Sequence, residues 1–300
     1  MFLGYLFAVL AMLSIGMTGI LSKLSDRYDC TPLNTSLIVF GGSSILMGLY
    51  VSLVQKATLV PPAMVSGTAI FFGVIAILAF GIFLYGLQFG KLTSSWIFLN
   101  LSAVVPAVLS ILIYHEAVTL AKILVLGLVV ASIVLLWKDK QKEGRQVSTG
   151  GEVPAHANVK MWVTTMFAAF LLNGACVFGL RVLAGRGLAQ QYTPVYLVYW
   201  YLGGFVFGLL GLIKTRHKLT RANAVIGSLM CLSSIGGQFF MGLALSSGIP
   251  GSVVFMLGMG ASMCVVVLGG VLFFQERVGI YAKVGIAVGL AAAVLLSTTG

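Results

Sequence analysis

Charged residues are scarce in this sequence. Asp, Glu, Lys and Arg make up 8% of its 300 positions, whereas hydrophobic residues make up 59%. Soluble domains carry about 25% charged residues, so most of this chain cannot face water. The apolar runs are continuous and roughly 20 residues long, as α-helices that cross a bilayer require, and they lack the alternation of membrane β-strands. The composition therefore predicts an all-α membrane protein.

Acidic residues are the rarest charged group, and none lies inside an apolar run. Glu116 and Glu276 lie at the ends of such runs. The others lie in polar segments: Asp26, Asp29, Asp139, Glu143 and Glu152. A proton relay or a site for cationic drugs ordinarily needs an ionisable group deep in the helix bundle. The sequence therefore disfavours an antiporter of cationic drugs.

Basic residues give the chain a formal net charge of +11, and almost all of them lie in short segments between apolar runs. No basic and aromatic surface remains for nucleic acid, so we expect no nucleic-acid partner. One set of segments holds only Lys56, Arg181 and Arg186. The other holds Lys23, Arg27, Lys91, Lys138, Lys140, Lys142, Arg145, Lys160, Lys214, Arg216, Lys218, Arg221 and Arg277. By the positive-inside rule the second set is cytoplasmic, which places both termini outside.

The chain shows an internal duplication. Glu116 and Glu276 each close one apolar run and precede another, and they lie 160 residues apart. The same offset matches Val134-Leu135-Leu136 with Val294-Leu295-Leu296. We therefore predict a five-helix repeat over residues 1–137, a flexible polar linker over 138–160 and a second five-helix repeat over 161–300. The predicted spans cover residues 2–21, 34–54, 67–88, 94–113, 119–137, 161–180, 193–213, 222–246, 250–274 and 280–297.

An odd number of spans in each repeat makes the two repeats inverted relative to each other. Inverted repeats are the structural basis of alternating access in many secondary transporters. An intramembrane enzyme would need paired acids, a zinc-binding helix or a nucleophile with its base, and the sequence has no such motif. We therefore expect a transporter without metal or cofactor. An intramembrane enzyme or another non-transport membrane protein is the alternative interpretation.

The pattern that recurs in the two halves is a glutamate at the end of the fourth or ninth span, a short polar turn, and a glycine-containing helix that ends in a Val-Leu run. Within a ten-span duplicated plan, this pattern resembles the EamA family of the drug/metabolite transporter superfamily. Pro106 matches a proline that the family often carries in the fourth span, whereas the ninth span has Val266 at that offset. The resemblance implies transport of small metabolites such as amino acids, through a cavity lined by both repeats.

Glu116 and Glu276 permit two interpretations. Each precedes a helix and can accept hydrogen bonds from the free N–H groups at its start, which also suits the helix dipole. This structural cap is the role we favour for both. The alternative is a gate residue that pairs with Lys122 or Arg277.

Polar side chains near the middle of the spans form the candidate substrate-binding site. They are Ser14, Thr18, Trp96, Asn100, Asn173 and Gln238. An unpaired amide in hydrocarbon costs several kcal/mol, so these groups should face protein or a wet cavity. Hydrogen bonds between helices are the alternative role. Amides and an aromatic face suit a neutral or zwitterionic solute.

Aromatic residues cluster near the start of the seventh span: Tyr192, Tyr196, Tyr199, Trp200 and Tyr201. Tyr and Trp often anchor helices at the membrane surface, so we expect anchoring rather than a ligand site. The expected partners are a small-molecule substrate and the lipid bilayer, in the plasma (inner) membrane of a bacterium. The sequence leaves the oligomeric state open and is compatible with a monomer.

Overall fold

The structure, a computed structural model, describes residues 2–114, 120–148, 158–215, 219–246, 262–276 and 279–297. Within these ranges the chain is helical and contains no β-strand. The helices are α1 (Phe2–Arg27), α2 (Pro32–Leu49), α3 (Ala63–Leu87), α4 (Leu92–Asn100), α5 (Val104–Tyr114), α6 (Leu120–Ser148), α7 (Val159–Gly185), α8 (Ala189–Thr215), α9 (Arg221–Ser246), α10 (Ser262–Phe274) and α11 (Ile280–Ser297). A π-helical turn, Tyr50–Val54, continues α2, and a 3₁₀ turn, Leu101–Ala103, joins α4 to α5.

Six of these helices are long and apolar enough to cross a membrane: α1, α2 with its π turn, α3, α7, α8 and α9. Helices α10 and α11 are apolar but shorter over the described residues. These observations confirm the prediction of an all-α membrane protein. The ten spans and the inversion of the repeats remain predictions.

Helix α6 differs most from the predicted boundaries, because it continues past Lys138 to Ser148, into the segment predicted as a flexible linker. Lys, Gln, Glu and Arg are good helix formers, so this polar segment can extend a helix beyond the membrane. Its side chains also pack against the start of α11. Asp139 is buried against Gly279, and the Lys142 ammonium lies 5.8 Å from the centre of the Tyr281 ring. Residues 149–157 of the predicted linker lie outside the described residues.

Helices from the first half of the chain pack mainly against helices from the second half. Helix α1 packs against α9 and α10, α2 against α8 and α9, α3 against α7 and α8, and α6 against α11. Glycines permit the closest approaches. A Cβ built at Gly73 in α3 would overlap the backbone carbonyl of Trp200 in α8. This interleaving makes the core a joint product of both halves.

The predicted fourth span is interrupted near its middle by the 3₁₀ turn Leu101–Ala103. Pro106 explains the interruption, because proline has no N–H to donate to the carbonyl of the residue four positions earlier, which is Ser102. Helix α4 has 9 residues and is therefore about 13 Å long. This length is a little less than half the thickness of a hydrocarbon core, which is about 30 Å.

Candidate functional site

The helix interruption in the fourth span carries two polar side chains and receives a third from α7. Asn100 ends α4, and its Nδ2 donates to the Trp96 carbonyl at 2.9 Å. Asn173 of α7 donates from Nδ2 to the Ser102 hydroxyl at 2.7 Å. The next residue, Gly174, lets α7 approach closely, since a Cβ there would lie 2.7 Å from the Ser102 carbonyl oxygen. The turn is thus held by a polar contact between the two halves.

Trp96 lies one helical turn before Asn100, and only 5% of its surface is exposed. Its ring meets Phe83 of α3 edge to face, with 5.6 Å between ring centres. It also packs against Gly19 of α1, where a Cβ would lie 2.9 Å from the indole Cδ2. The indole Nε1 is buried without a hydrogen-bond partner among the described residues. A buried donor without an acceptor is costly, so this N–H is a candidate donor to a bound solute.

Ser14 and Thr18 on α1 form a second polar group with α9. The hydroxyls of Thr18 and Ser233 share a hydrogen bond of 2.8 Å, and Thr18 Oγ1 also donates to the Ser14 carbonyl at 3.3 Å. Ser14 itself is half-buried beside Gly236 of α9. Along α1, Thr18 immediately precedes Gly19, the glycine against which Trp96 packs.

Gln238 is less closely tied to these groups. It is half-buried on α9, two residues after Gly236. One turn earlier on the same helix, the hydroxyl of Ser234 shares a 3.0 Å hydrogen bond with the hydroxyl of Tyr201. Tyr201 is buried, as is Tyr196, so the expectation that this aromatic cluster anchors the membrane surface is wrong for these two residues. The helical periodicity of the sequence alone did not show that the face of α8 that carries Tyr196 and Tyr201 packs against other helices.

Glu276 makes contacts that the sequence did not predict. We expected it to cap the helix that follows it, but its carboxylate binds the start of α4, in the other half of the chain. Oε1 accepts from the Leu92 N–H at 2.6 Å, and Oε2 accepts from the N–H and the hydroxyl of Thr93 at 3.1 and 2.8 Å. Glu116 and Arg277 lie outside the described residues, and the side chain of Lys122 is not described either.

The structure therefore brings Trp96, Asn100 and Asn173 to one helix interruption, and Thr18 adjoins in sequence the glycine that Trp96 contacts. Sequence reasoning missed Ser102 and Ser233, the hydroxyl partners of Asn173 and Thr18. The signal for Ser102 was available, because it lies four residues before Pro106. Among the described residues, no group of three His, Cys, Asp or Glu side chains is placed to hold a metal ion.

Comparisons with known proteins place this geometry in context. The model of the EamA-like transporter family matches residues 2–138. Among solved structures, 19 chains match. One of them, a protein known from a crystal structure, has a TM-score of 0.62 and 14% sequence identity, and the match covers 99% of this chain and 97% of that chain. At this identity the likeness shows a shared fold alone. No curated protein sequence matches.

Proposed function

Since residues 2–138 of the chain belong to the EamA-like transporter family, within the drug/metabolite transporter superfamily, we propose that this integral membrane protein is a secondary transporter. It acts as an exporter or facilitator of small neutral or zwitterionic metabolites. Amino acids are the solutes that we expect first. The substrate binds between the two halves of the chain, and alternating access exposes its site to each side of the membrane in turn.

The observation that carries this proposal is the interrupted fourth span. Many transporters bind substrate near the bilayer midplane, where a discontinuous helix frees backbone groups to face a cavity. Here the helix tightens to a 3₁₀ turn at Leu101–Ala103, and Pro106 cannot donate a backbone hydrogen bond to the Ser102 carbonyl. Asn100 flanks this turn, and Asn173 reaches it from the other half of the chain. Irregular backbone is tolerated in a membrane only where protein or water covers it.

The chemistry of this region supports an uncharged or zwitterionic substrate. Trp96 offers an unpaired N–H donor, and Asn100, Ser102 and Asn173 are polar but neutral. No charged side chain lies in the middle of the described helices α1, α4, α7 and α9. A strongly charged solute would therefore lose its hydration without a countercharge, which is costly.

Packing between the halves supports two inverted repeats. The pairs α1–α9 and α3–α7 join the first span with the eighth and the third span with the sixth. A two-fold axis that relates two five-span repeats maps the first span onto the sixth and the third onto the eighth, so it exchanges these two pairs.

In this arrangement the loops rich in Lys and Arg, with residues 138–160, are cytoplasmic and the termini are external. Strong labelling of Lys160→Cys by an impermeant thiol reagent on intact cells would reverse this topology.

A ligand screen on the purified protein tests the proposed substrate class. We expect at least one neutral or zwitterionic amino acid, or a related solute, to raise the thermal midpoint, because a ligand that binds only the folded state stabilises it. Asn173→Ala should weaken that shift. A shift that appears only with organic cations or phosphorylated solutes would contradict the proposed class.

A further inference from the structure

The start of α4 is held by a carboxylate from the distant end of the chain. The first N–H groups of any α-helix have no partner within the helix, and Lys91, which precedes α4, provides no side-chain cap. Glu276 supplies the acceptors instead, through hydrogen bonds of 2.6, 3.1 and 2.8 Å to Leu92 and Thr93. We refer to these three hydrogen bonds as the α4 clasp.

The surroundings of the clasp are shaped to form it. Leu92 and Thr93 are buried when the clasp is formed, so their N–H groups meet the carboxylate in place of water. Gly270 leaves the necessary space, because a Cβ there would lie 2.5 Å from Thr93 Oγ1 and 3.1 Å from Glu276 Oε2. The Glu276 N–H donates to the Gly270 carbonyl at 3.0 Å, which turns the chain sharply after α10. The preceding Gln275 adopts a φ of 52°, in the left-handed region.

The clasp acts on the helix that carries the candidate site. Thr93, Trp96 and Asn100 follow one another at intervals of three and four residues, so they lie on the same side of α4. At its other end α4 meets the 3₁₀ turn Leu101–Ala103. A 3₁₀ stretch within a helix often marks a hinge. Helix α4 is thus a short rigid segment with a hinge at one end and the clasp at the other.

From this arrangement we infer that α4 is a moving gate of the transporter and that Glu276 is the positioning residue that holds it closed. When the clasp is intact, Trp96 packs against Gly19 and Phe83 and closes this end of the space between the halves. When the clasp opens, α4 turns about the interruption and withdraws the indole. The inference rests on the proposed transport function, since it names the segment that would move.

A thiol-labelling experiment tests the gate without any substrate. Ser22 is fully buried on α1, one turn from Gly19, so Ser22→Cys should react slowly while α4 is in place. The protein is reconstituted in lipid nanodiscs, which expose both faces, and is treated with a small charged thiol reagent. Mass spectrometry then reads the modification at position 22 separately from the four native cysteines.

Two substitutions weaken the clasp. Glu276→Gln replaces one of the two carboxylate oxygens with an NH₂ group, which cannot accept a hydrogen bond from Leu92 or Thr93. Thr93→Val removes only the hydroxyl hydrogen bond. Because a hydrogen bond to a charged group is stronger than a neutral one, we expect Glu276→Gln to raise the labelling rate at position 22 roughly tenfold and Thr93→Val to raise it by a smaller factor.

Matched controls separate gate opening from general damage. Thr68→Val removes a hydroxyl that donates only to the Met64 and Val65 carbonyls of its own helix, and Ser66→Ala removes a hydroxyl that donates to the Ala63 carbonyl of that helix. Neither should change the labelling at position 22. Native Cys30 reports on unfolding, since it is buried and desolvation raises the pKa of its thiol, which keeps it slow to react.

The outcomes decide the inference in both directions. Faster labelling at position 22 with unchanged labelling of Cys30, in both clasp variants, supports the gate. Unchanged labelling at position 22 in both variants overturns it, and so does an equal rise at position 22 and Cys30 in both. A protein that shows the supporting pattern but transports no solute would contradict the proposed function alone. A protein that transports solutes with unchanged labelling would contradict only the gate.

Discussion

Asn173 Nδ2 on α7 lies 2.7 Å from the Ser102 hydroxyl, which lies in the turn that interrupts the fourth span. This hydrogen bond joins the two halves of the chain where the helix between α4 and α5 is irregular. It gives one side chain two roles, since the amide both supports the turn and faces the region where we place the substrate.

Replacing Asn173 with Ala should impair transport more than it impairs folding. Loss of the amide removes one hydrogen bond to the turn and one candidate group for the substrate, so we expect the apparent KM to rise about three- to tenfold. Asn158→Ala is the matched control, because this amide caps the exposed start of α7 through the Met161 N–H. Equal KM values for Asn173→Ala and the unaltered protein would contradict the assigned role.

Trp96→Phe tests the unpaired indole N–H. The phenyl ring preserves most of the aromatic contact with Phe83 and removes a donor that has no partner among the described residues. We therefore expect little loss of stability from the missing N–H but a weaker affinity for the substrate, by a factor of about three to ten. Thermal melting and concentration-dependent uptake measure the two effects. Unchanged affinity would show that the N–H does not bind the solute.

The hydroxyl pair of Thr18 and Ser233 should contribute to stability through coupling between α1 and α9. Their oxygens lie 2.8 Å apart, and hydrogen bonds between membrane helices average about 0.6 kcal/mol in double-mutant cycles. Thr18→Val and Ser233→Ala should each lower the free energy of unfolding, and the double variant should lose less than the sum of the two single losses. Strictly additive losses would show that the pair is not coupled.

Gly73 and Gly67 lie on the same helix and predict opposite outcomes. A Cβ at Gly73 would overlap the Trp200 carbonyl of α8, and backbone cannot move aside as a flexible side chain can, whereas a Cβ at Gly67 has no heavy atom within 4 Å. Gly73→Ala should therefore reduce the amount of folded protein severalfold. Gly67→Ala should leave it unchanged or slightly raised, because Ala favours helix over Gly. Comparable yields of the two variants would refute the close α3–α8 packing.

Several features of this fold could be predicted from sequence because they depend on the hydrophobicity of the residues and on the length of the apolar runs. The apolar runs indicated the helices, and the described helices begin and end within a few residues of most predicted spans. The end of α6 was harder to predict, since the same Lys, Glu and Gln residues suit a solvated linker and a helix that extends beyond the membrane.

The candidate site was only partly predictable. The cost of an unpaired amide in hydrocarbon drew attention to Asn100 and Asn173, and the structure brings both to the same helix interruption. The partner of Glu276 could not be deduced, because a local argument about caps considers only the next helix. The α4 clasp instead joins residues 183 or 184 positions apart, and only tertiary packing determines such a pair.

Counterflow in proteoliposomes tests the central claim, which is transport of small neutral or zwitterionic solutes, most directly. Vesicles that hold the purified protein are loaded with one unlabelled amino acid and diluted into a trace of the same amino acid in labelled form. For at least one neutral or zwitterionic amino acid, we predict transient accumulation of label that saturates with concentration and falls in Asn173→Ala. Folded protein that yields no saturable exchange with any such solute, or exchanges only strongly charged ones, would contradict the account.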